Sequence, residues 1–293
     1  MLLIGCQTDG RGQDAAQAVV AREMHSLTLL APELQMHLRS DPYRSARPLD
    51  SSGRDVFSMA LWRLDRLQES RDIEAGSWTN ADLVIEFARG RTLERLRRYS
   101  EAETAYRRVA EQGSLLQERA VEAESVMAIF AAASEPVDSS LPSEPRERAR
   151  EERLIQWREI VSAYRGSPYE SLALEEQEAW QTHRVERLSR SQGIETALAA
   201  CHKLIEEHRA SKHYARHLIL LGDLYSEAAR AELTRHRTTR ASFDASRYDA
   251  LLDRAFSAYE LAGEQRYPSE RVEASKKIEA LLAAHRGALT YVR

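Results

Sequence analysis

From Asp55 onward, apolar residues fall at three- and four-residue steps through most of the chain. Val56, Phe57, Ala60, Leu61, Leu64 and Leu67 form one such stripe, the spacing of a helix with one buried face. Similar stripes predict helices over Thr79–Arg97, Ser100–Glu111 and Leu115–Ala133, and helices again from Arg146 almost to the end. Breaks fall at Arg165–Pro168, Ser189–Gly193, Ala210–Ser211, Thr238–Ser246 and Tyr267–Pro268. No segment shows the period-two alternation of a strand, so the expected class is all-α. Before Asp55 the pattern is different. Residues 1–53 read as a largely unstructured tether with one short helix candidate around Met24–Leu38, and Ser40–Ser52 reads as loop. Residues 134–146, which open SEPVDSSLPSEP, read as an exposed linker between helical regions at 54–133 and 147–293.

The helices repeat. YRRVAEQGS (106–114), WREIVSAYRGS (157–167), CHKLIEEHRAS (201–211) and YELAGEQRYPS (259–269) each end on a serine-containing turn and lead into a further helix. Helix, short turn and helix recurring along a chain is the pattern of stacked hairpins. In the first of these hairpins, Gly90, Ala102, Tyr106 and Val109 stand at small, small, aromatic and small positions. Residues 83–116 thereby resemble a tetratricopeptide repeat (TPR), a unit of roughly 34 residues whose two helices cross closely over small side chains. Ser100 in RYSEA is suited to cap the second helix. LILLGDLY (218–225) repeats the first-helix pattern with Gly222 and Tyr225. Its partner, with Ala255, Tyr259 and Ala262, arrives about 21 residues late, which implies a lengthened helix and a loop near Thr238–Ser246. QGIETALAACHKL (192–204) matches a second helix through Ala197, Cys201 and Leu204. The resemblance implies an irregular right-handed solenoid with extended helices and a concave groove for a protein or peptide partner. By the family's frame that groove takes Phe87, Arg91, Glu94 and Arg95 in one hairpin, and Arg216, Ile219, Asp223 and Glu227 in another. Arginines there suit a partner with acidic residues, since a guanidinium grips a carboxylate at two points. A solvated, solubilising face is the alternative for the same arginines.

The opening residues add a second resemblance. Leu3-Ile4-Gly5-Cys6 is similar to the lipobox at which bacterial lipoproteins are cleaved and acylated, and the polar stretch after Cys6 suits a tether. Only five residues precede Cys6, fewer than the roughly 7–15 apolar residues of a secretory leader, so the resemblance implies an upstream leader continuous with Met1. The expected location is the bacterial cell envelope, lipid-anchored and facing the periplasm. A cytoplasmic TPR adaptor without lipid is the alternative.

Composition removes several functions. A net charge of −4 over 293 residues, with only four lysines, gives no case for nucleic acid. No apolar run approaches the roughly 18 residues of a spanning helix. Two cysteines make neither a disulfide framework nor a zinc site, and Cys201 at an inward repeat position reads as an inert buried thiol. His202, His208, His213 and His217 cluster, with His213 and His217 four apart on one helical face, a spacing that can hold zinc. HExxH is absent and no acid or cysteine completes a recognised ligand set, so they are assigned to the solvated helix surface. A histidine metal-site enzyme is the third alternative. There is no nucleophile elbow and no phosphate-binding glycine loop. The expectation is a non-catalytic scaffold with no cofactor and no small-molecule substrate.

Overall fold

The computed structural model describes residues 48–69, 78–239 and 243–292. Ten α-helices account for most of them, and none of the described residues is in a strand. They fall into two compact units: Gly53–Glu135, and Pro136–Arg293 together with the short segment Pro48–Ser52.

The first unit holds α1 (Arg54–Glu69), α2 (Asn80–Arg95), α3 (Tyr99–Ala110) and α4 (Gln117–Ser134), each packed on the next. The stripe expected on α1 is the face it buries: Val56, Phe57, Ala60, Leu61 and Leu64. Helix α2 starts on a capping box. The Thr79 hydroxyl accepts from the Asp82 N–H at 3.3 Å, and the Asp82 carboxylate accepts from the Thr79 N–H at 2.7 Å. Such a cap satisfies donors that the first turn leaves open and contributes about 1 kcal/mol. Helix α2 ends where Arg97 takes a left-handed conformation, φ 62°, and the Arg98 N–H returns to the Leu93 carbonyl. Helix α3 then begins at Tyr99 with Arg98 as its cap residue and no side-chain cap bond, so Ser100 does not cap it. The tight turn at Arg97 starts the helix two residues too early for that role.

The second unit holds α5 (Ser143–Ala163), α6 (Glu170–Ser191), α7 (Ile194–Glu207), α8 (Tyr214–Thr239), α9 (Ala245–Gly263) and α10 (Pro268–Val292). Consecutive helices again pack together, and α8 also touches α10. Helix α5 opens inside the stretch expected to be loop. Pro145 lies in its first turn, where a missing N–H costs nothing because that donor has no intrahelical partner. Helix α8 runs for 26 residues and α9 for 19, against 16 and 12 for α2 and α3, which accounts for the late arrival of Tyr259. A continuous apolar core joins Cys201 and Leu204 of α7, Leu218, Leu221 and Tyr225 of α8, Ala255 and Tyr259 of α9, and Ala274 of α10.

Two glycines let a neighbouring helix lay a tyrosine ring directly over them. A methyl group on Gly90 would lie 2.6 Å from the Tyr106 ring, and one on Gly222 only 2.4 Å from the Tyr259 ring. In each hairpin a tyrosine of the second helix therefore lies over a glycine of the first. Ala102, Ala197 and Ala255 are fully buried, and Tyr225 is buried at 7% exposure. The small-residue positions of both hairpins thus sit in the helix interfaces.

Candidate partner-binding surfaces

Along α2 the groove positions form a partly exposed strip. Val84 is exposed, while Phe87, Arg91 and Arg95 are half-buried. Phe87 meets the Tyr106 ring edge-on at 5.2 Å, which fixes its orientation. Glu94 is not part of that surface. It is buried at 3% exposure, accepts a short hydrogen bond from the Tyr106 hydroxyl and lies 3.8 Å from Arg91. Burial pushes its carboxyl above the usual range, and Arg91, the Tyr106 hydroxyl and Arg95 offset this only in part. A side chain expected in the groove is instead the polar floor under a tyrosine. Nearby, the fully buried Glu86 is held by Arg89 at 3.0 Å, Arg108 at 3.2 Å and Gln68 at 3.3 Å, tying α1, α2 and α3 together.

On α8 the expected groove is largely taken up by the protein itself. Ile219 is buried at 5% exposure in the core. Asp223 accepts from the Tyr259 hydroxyl at 2.7 Å and pairs with Lys277 at 2.7 Å. Glu227 is exposed and accepts from the Ser189 hydroxyl at 3.2 Å. Arg216 is exposed, but its guanidinium already grips two carboxylates, Asp50 at 3.0 Å and Glu270 at 3.1 Å.

Asp50 belongs to the segment Pro48–Ser52, which the sequence places in a free tether and the structure places on the second unit. The Leu49 carbonyl accepts from the Ser269 N–H at 3.1 Å, meeting one of the unpaired donors at the start of α10. The Ser51 N–H donates to Glu270 Oε1 at 2.9 Å, and the Ser51 hydroxyl lies 2.8 Å from His213 Nδ1. Ser51 is 2% exposed and Glu270 1%. Leu49 remains 64% exposed, so polar bonds carry the attachment. Such bonds contribute about 0.5–1.5 kcal/mol each, and the half-exposed Asp50–Arg216 pair about 1 kcal/mol or less.

A separate cleft lies between α5, α6 and α7. Leu154, Val185 and Leu204 form its floor, Arg158, Arg184 and Lys203 its rim, and it is a small cleft of about 40 Å3. Arg184 pairs with Glu151 at 2.8 Å and Lys203 with Glu207 at 3.5 Å, whereas Arg158 is exposed and has no ion-pair or hydrogen-bond partner among the described residues. Nothing in the periodicity marked this cleft, because its cations come from three different helices.

The four histidines do not share the surface setting assigned to them. His217 is buried at 2% exposure, and its Nε2 lies 2.5 Å from the equally buried Glu178. Burial works to raise the Glu178 carboxyl. Hydrogen bonds from His217 and Ser211, with the charges of His217 and His213, outweigh it and hold the group below the usual range. His208 bonds Gln181 and lies 6.4 Å from the His217 ring, and desolvation lowers its pKa. His202 is exposed and bonds the Tyr225 hydroxyl at 2.8 Å. The correction has a simple cause: the His217 side chain meets Glu178 of α6 in place of solvent. Among the described residues no three His, Cys, Asp or Glu side chains are grouped to hold a metal ion. Cys201 is fully buried, and desolvation pushes its thiol up to about 12. Cys6 lies outside the described residues. No described helix is long and apolar enough to cross a membrane.

The sequence matches no protein-family model and no curated protein. The side chains themselves therefore carry the functional reading.

Proposed function

We propose that this chain is a non-catalytic interaction scaffold of TPR-like hairpins that binds an acidic segment of another protein. One observation carries the reading: in each unit cations stand beside apolar side chains. In the first unit these are Val84 and Phe87 beside Arg91 and Arg95, and in the second the floor of Leu154, Val185 and Leu204 beneath Arg158, Arg184 and Lys203. Arginine beside aromatic or aliphatic anchors is the composition of strong contact sites. The TPR-like part of the reading is supported by the two ring-over-glycine contacts and by α8 touching both α9 and α10, as stacked hairpins require. A thiol held near 12 stays protonated at neutral pH, so Cys201 is no nucleophile.

A crosslinking pull-down tests the reading. The double variants Arg91→Glu with Arg95→Glu, and Arg158→Glu with Lys203→Glu, are each expected to lose a partner that the wild type captures. A partner list unchanged in both variants would exclude these surfaces. The envelope location is a separate part of the proposal and rests on LLIGC. Mass spectrometry of the mature N-terminus is expected to find Cys6 first and acylated. Retained Met1 would leave the cytoplasmic adaptor.

A further inference from the structure

We infer that the first turns of α8 and α10 form a docking site for an x-Asp-Ser-Ser turn, and that Pro48–Ser52 is its intramolecular occupant. The contacts are those of peptide recognition. Main-chain groups two residues apart, the Leu49 carbonyl and the Ser51 N–H, bond Ser269 and Glu270. The segment bends at Leu49–Asp50 and turns at Ser51–Ser52, so the site reads the main chain of a turn. Arg216 supplies the charge match to Asp50, and Glu270 holds Arg216 in place from the other side. The Asp50 carboxylate also accepts from the Ser52 N–H at 2.7 Å and the Ser52 hydroxyl at 2.5 Å, which folds the ligand into the shape the site takes.

Specificity follows from exposure. The first position points to water, as 64% exposed Leu49 does, and accepts any side chain. The second must be Asp to meet Arg216. The third is closed over, since Ser51 is 2% exposed and its hydroxyl reaches His213, so a larger residue is excluded. One oxygen of the buried Glu270, Oε2, has no hydrogen-bond partner even with the segment in place. An attached segment acts at an effective concentration on the order of millimolar, so the wild type resists a free peptide below that level. The partner this surface fits is a protein that presents x-Asp-Ser-Ser in an exposed turn and displaces the internal copy. The inference takes its biological meaning from the interaction scaffold proposed for the chain, but its geometry is independent of the α2 strip and the α5–α7 cleft.

The test uses the full chain and a fluorescein-labelled peptide, ARPLDSSG, read by fluorescence polarisation. Ser51→Pro removes the N–H to Glu270 and the hydroxyl at His213, and Asp50→Arg sets a cation against Arg216. Both variants are expected to bind the peptide at least tenfold more tightly than the wild type does. Adding Arg216→Gln to Ser51→Pro should return binding to the wild-type level, and a peptide with Leu in place of its first Ser should not bind. The inference is overturned if both variants keep their helical circular dichroism and bind no better than the wild type. It is equally overturned if both lose their fold, since a segment needed for folding is no displaceable ligand. A wild-type dimer that Asp50→Arg converts to monomer, read by light scattering, would assign the site to a second copy of the chain and overturn the partner reading. None of these outcomes touches Arg91, Arg95, Arg158 or Lys203, so either proposal can fail alone.

Discussion

The two glycine-tyrosine hairpins solve one packing problem with different polar chemistry. In α2 and α3, the Tyr106 ring covers Gly90 and its hydroxyl donates to Glu94, a carboxylate sealed from water. In α8 and α9, the Tyr259 ring covers Gly222 and its hydroxyl donates to Asp223, which is 40% exposed and shared with Lys277. The hydroxyl proton of Tyr259 is held tightly by burial and by Asp223, which raise its pKa far above the usual value. Ring-over-glycine contact is thus the constant, and the acid beneath the hydroxyl is free to be buried or wet. A tyrosine chosen for its shape still has to place its hydroxyl, and each hairpin found a different local acceptor.

The largest effect expected on this comparison comes from the glycines. Gly90→Ala and Gly222→Ala each place a methyl group inside a buried ring and should cost about 2–3 kcal/mol, against the roughly 1 kcal/mol that Ala normally contributes in a helix. Chemical denaturation measures both. Pairing each with Tyr106→Leu or Tyr259→Leu should make the second change less than additive. Full additivity would mean that the rings yield without strain and that the glycines are incidental.

The hydroxyls separate the two hairpins. Tyr106→Phe leaves the buried Glu94 without its donor and should cost about 1–3 kcal/mol, the range for an unsatisfied buried group. Tyr259→Phe leaves Asp223 its Lys277 partner and its exposure to solvent, and should cost about 0.5 kcal/mol. Equal losses in thermal or urea unfolding would remove the distinction between a sealed acceptor and a wet one.

The smallest effect is in pH, and its sign differs between the units. Glu94 has a native pKa raised above 4.5, so its contribution is complete below that value and is lost as pH rises through the native pKa. Glu178 has a native pKa lowered from 4.5, so its contribution is present above that value and is lost as pH falls through the native pKa. Against the wild type, Glu94→Gln should therefore gain relative stability from pH 4 to 7 and Glu178→Gln should lose it. Urea midpoints at several pH values give the two slopes. Slopes of the same sign would show that burial at Glu94 and the histidines at Glu178 do not govern these carboxyls.

Much of the helical plan was legible in the chain. The α1 stripe, the breaks and the late Tyr259 all follow from spacing, because a helix with one buried face must repeat its apolar residues. The polar sites were far less legible. His217 reads as solvated surface and Glu94 as groove, yet both are buried, and Glu86, Glu178 and Glu270, which no pattern singles out, are buried too. A charged residue reads as surface until its partners are known, and those partners lie on other helices: Arg108 on α3 for Glu86, Tyr106 on α3 for Glu94, and Arg216 on α8 for Glu270. Pro48–Ser52 is the same lesson in a loop, since SDPYRSARPLDSS carries no mark of the α10 start on which its last residues rest.

By itself, then, the sequence determined the all-helical class, the positions where helices must approach closely, and the burial of Cys201, since local spacing and side-chain size suffice for these. Only the tertiary structure decided which carboxylates are sealed, which arginines remain available, and that a segment from ahead of α1 lies on α8 and α10. Those outcomes depend on pairings between residues far apart in the chain, and a charge costs too much to bury unless such a pairing is already in place.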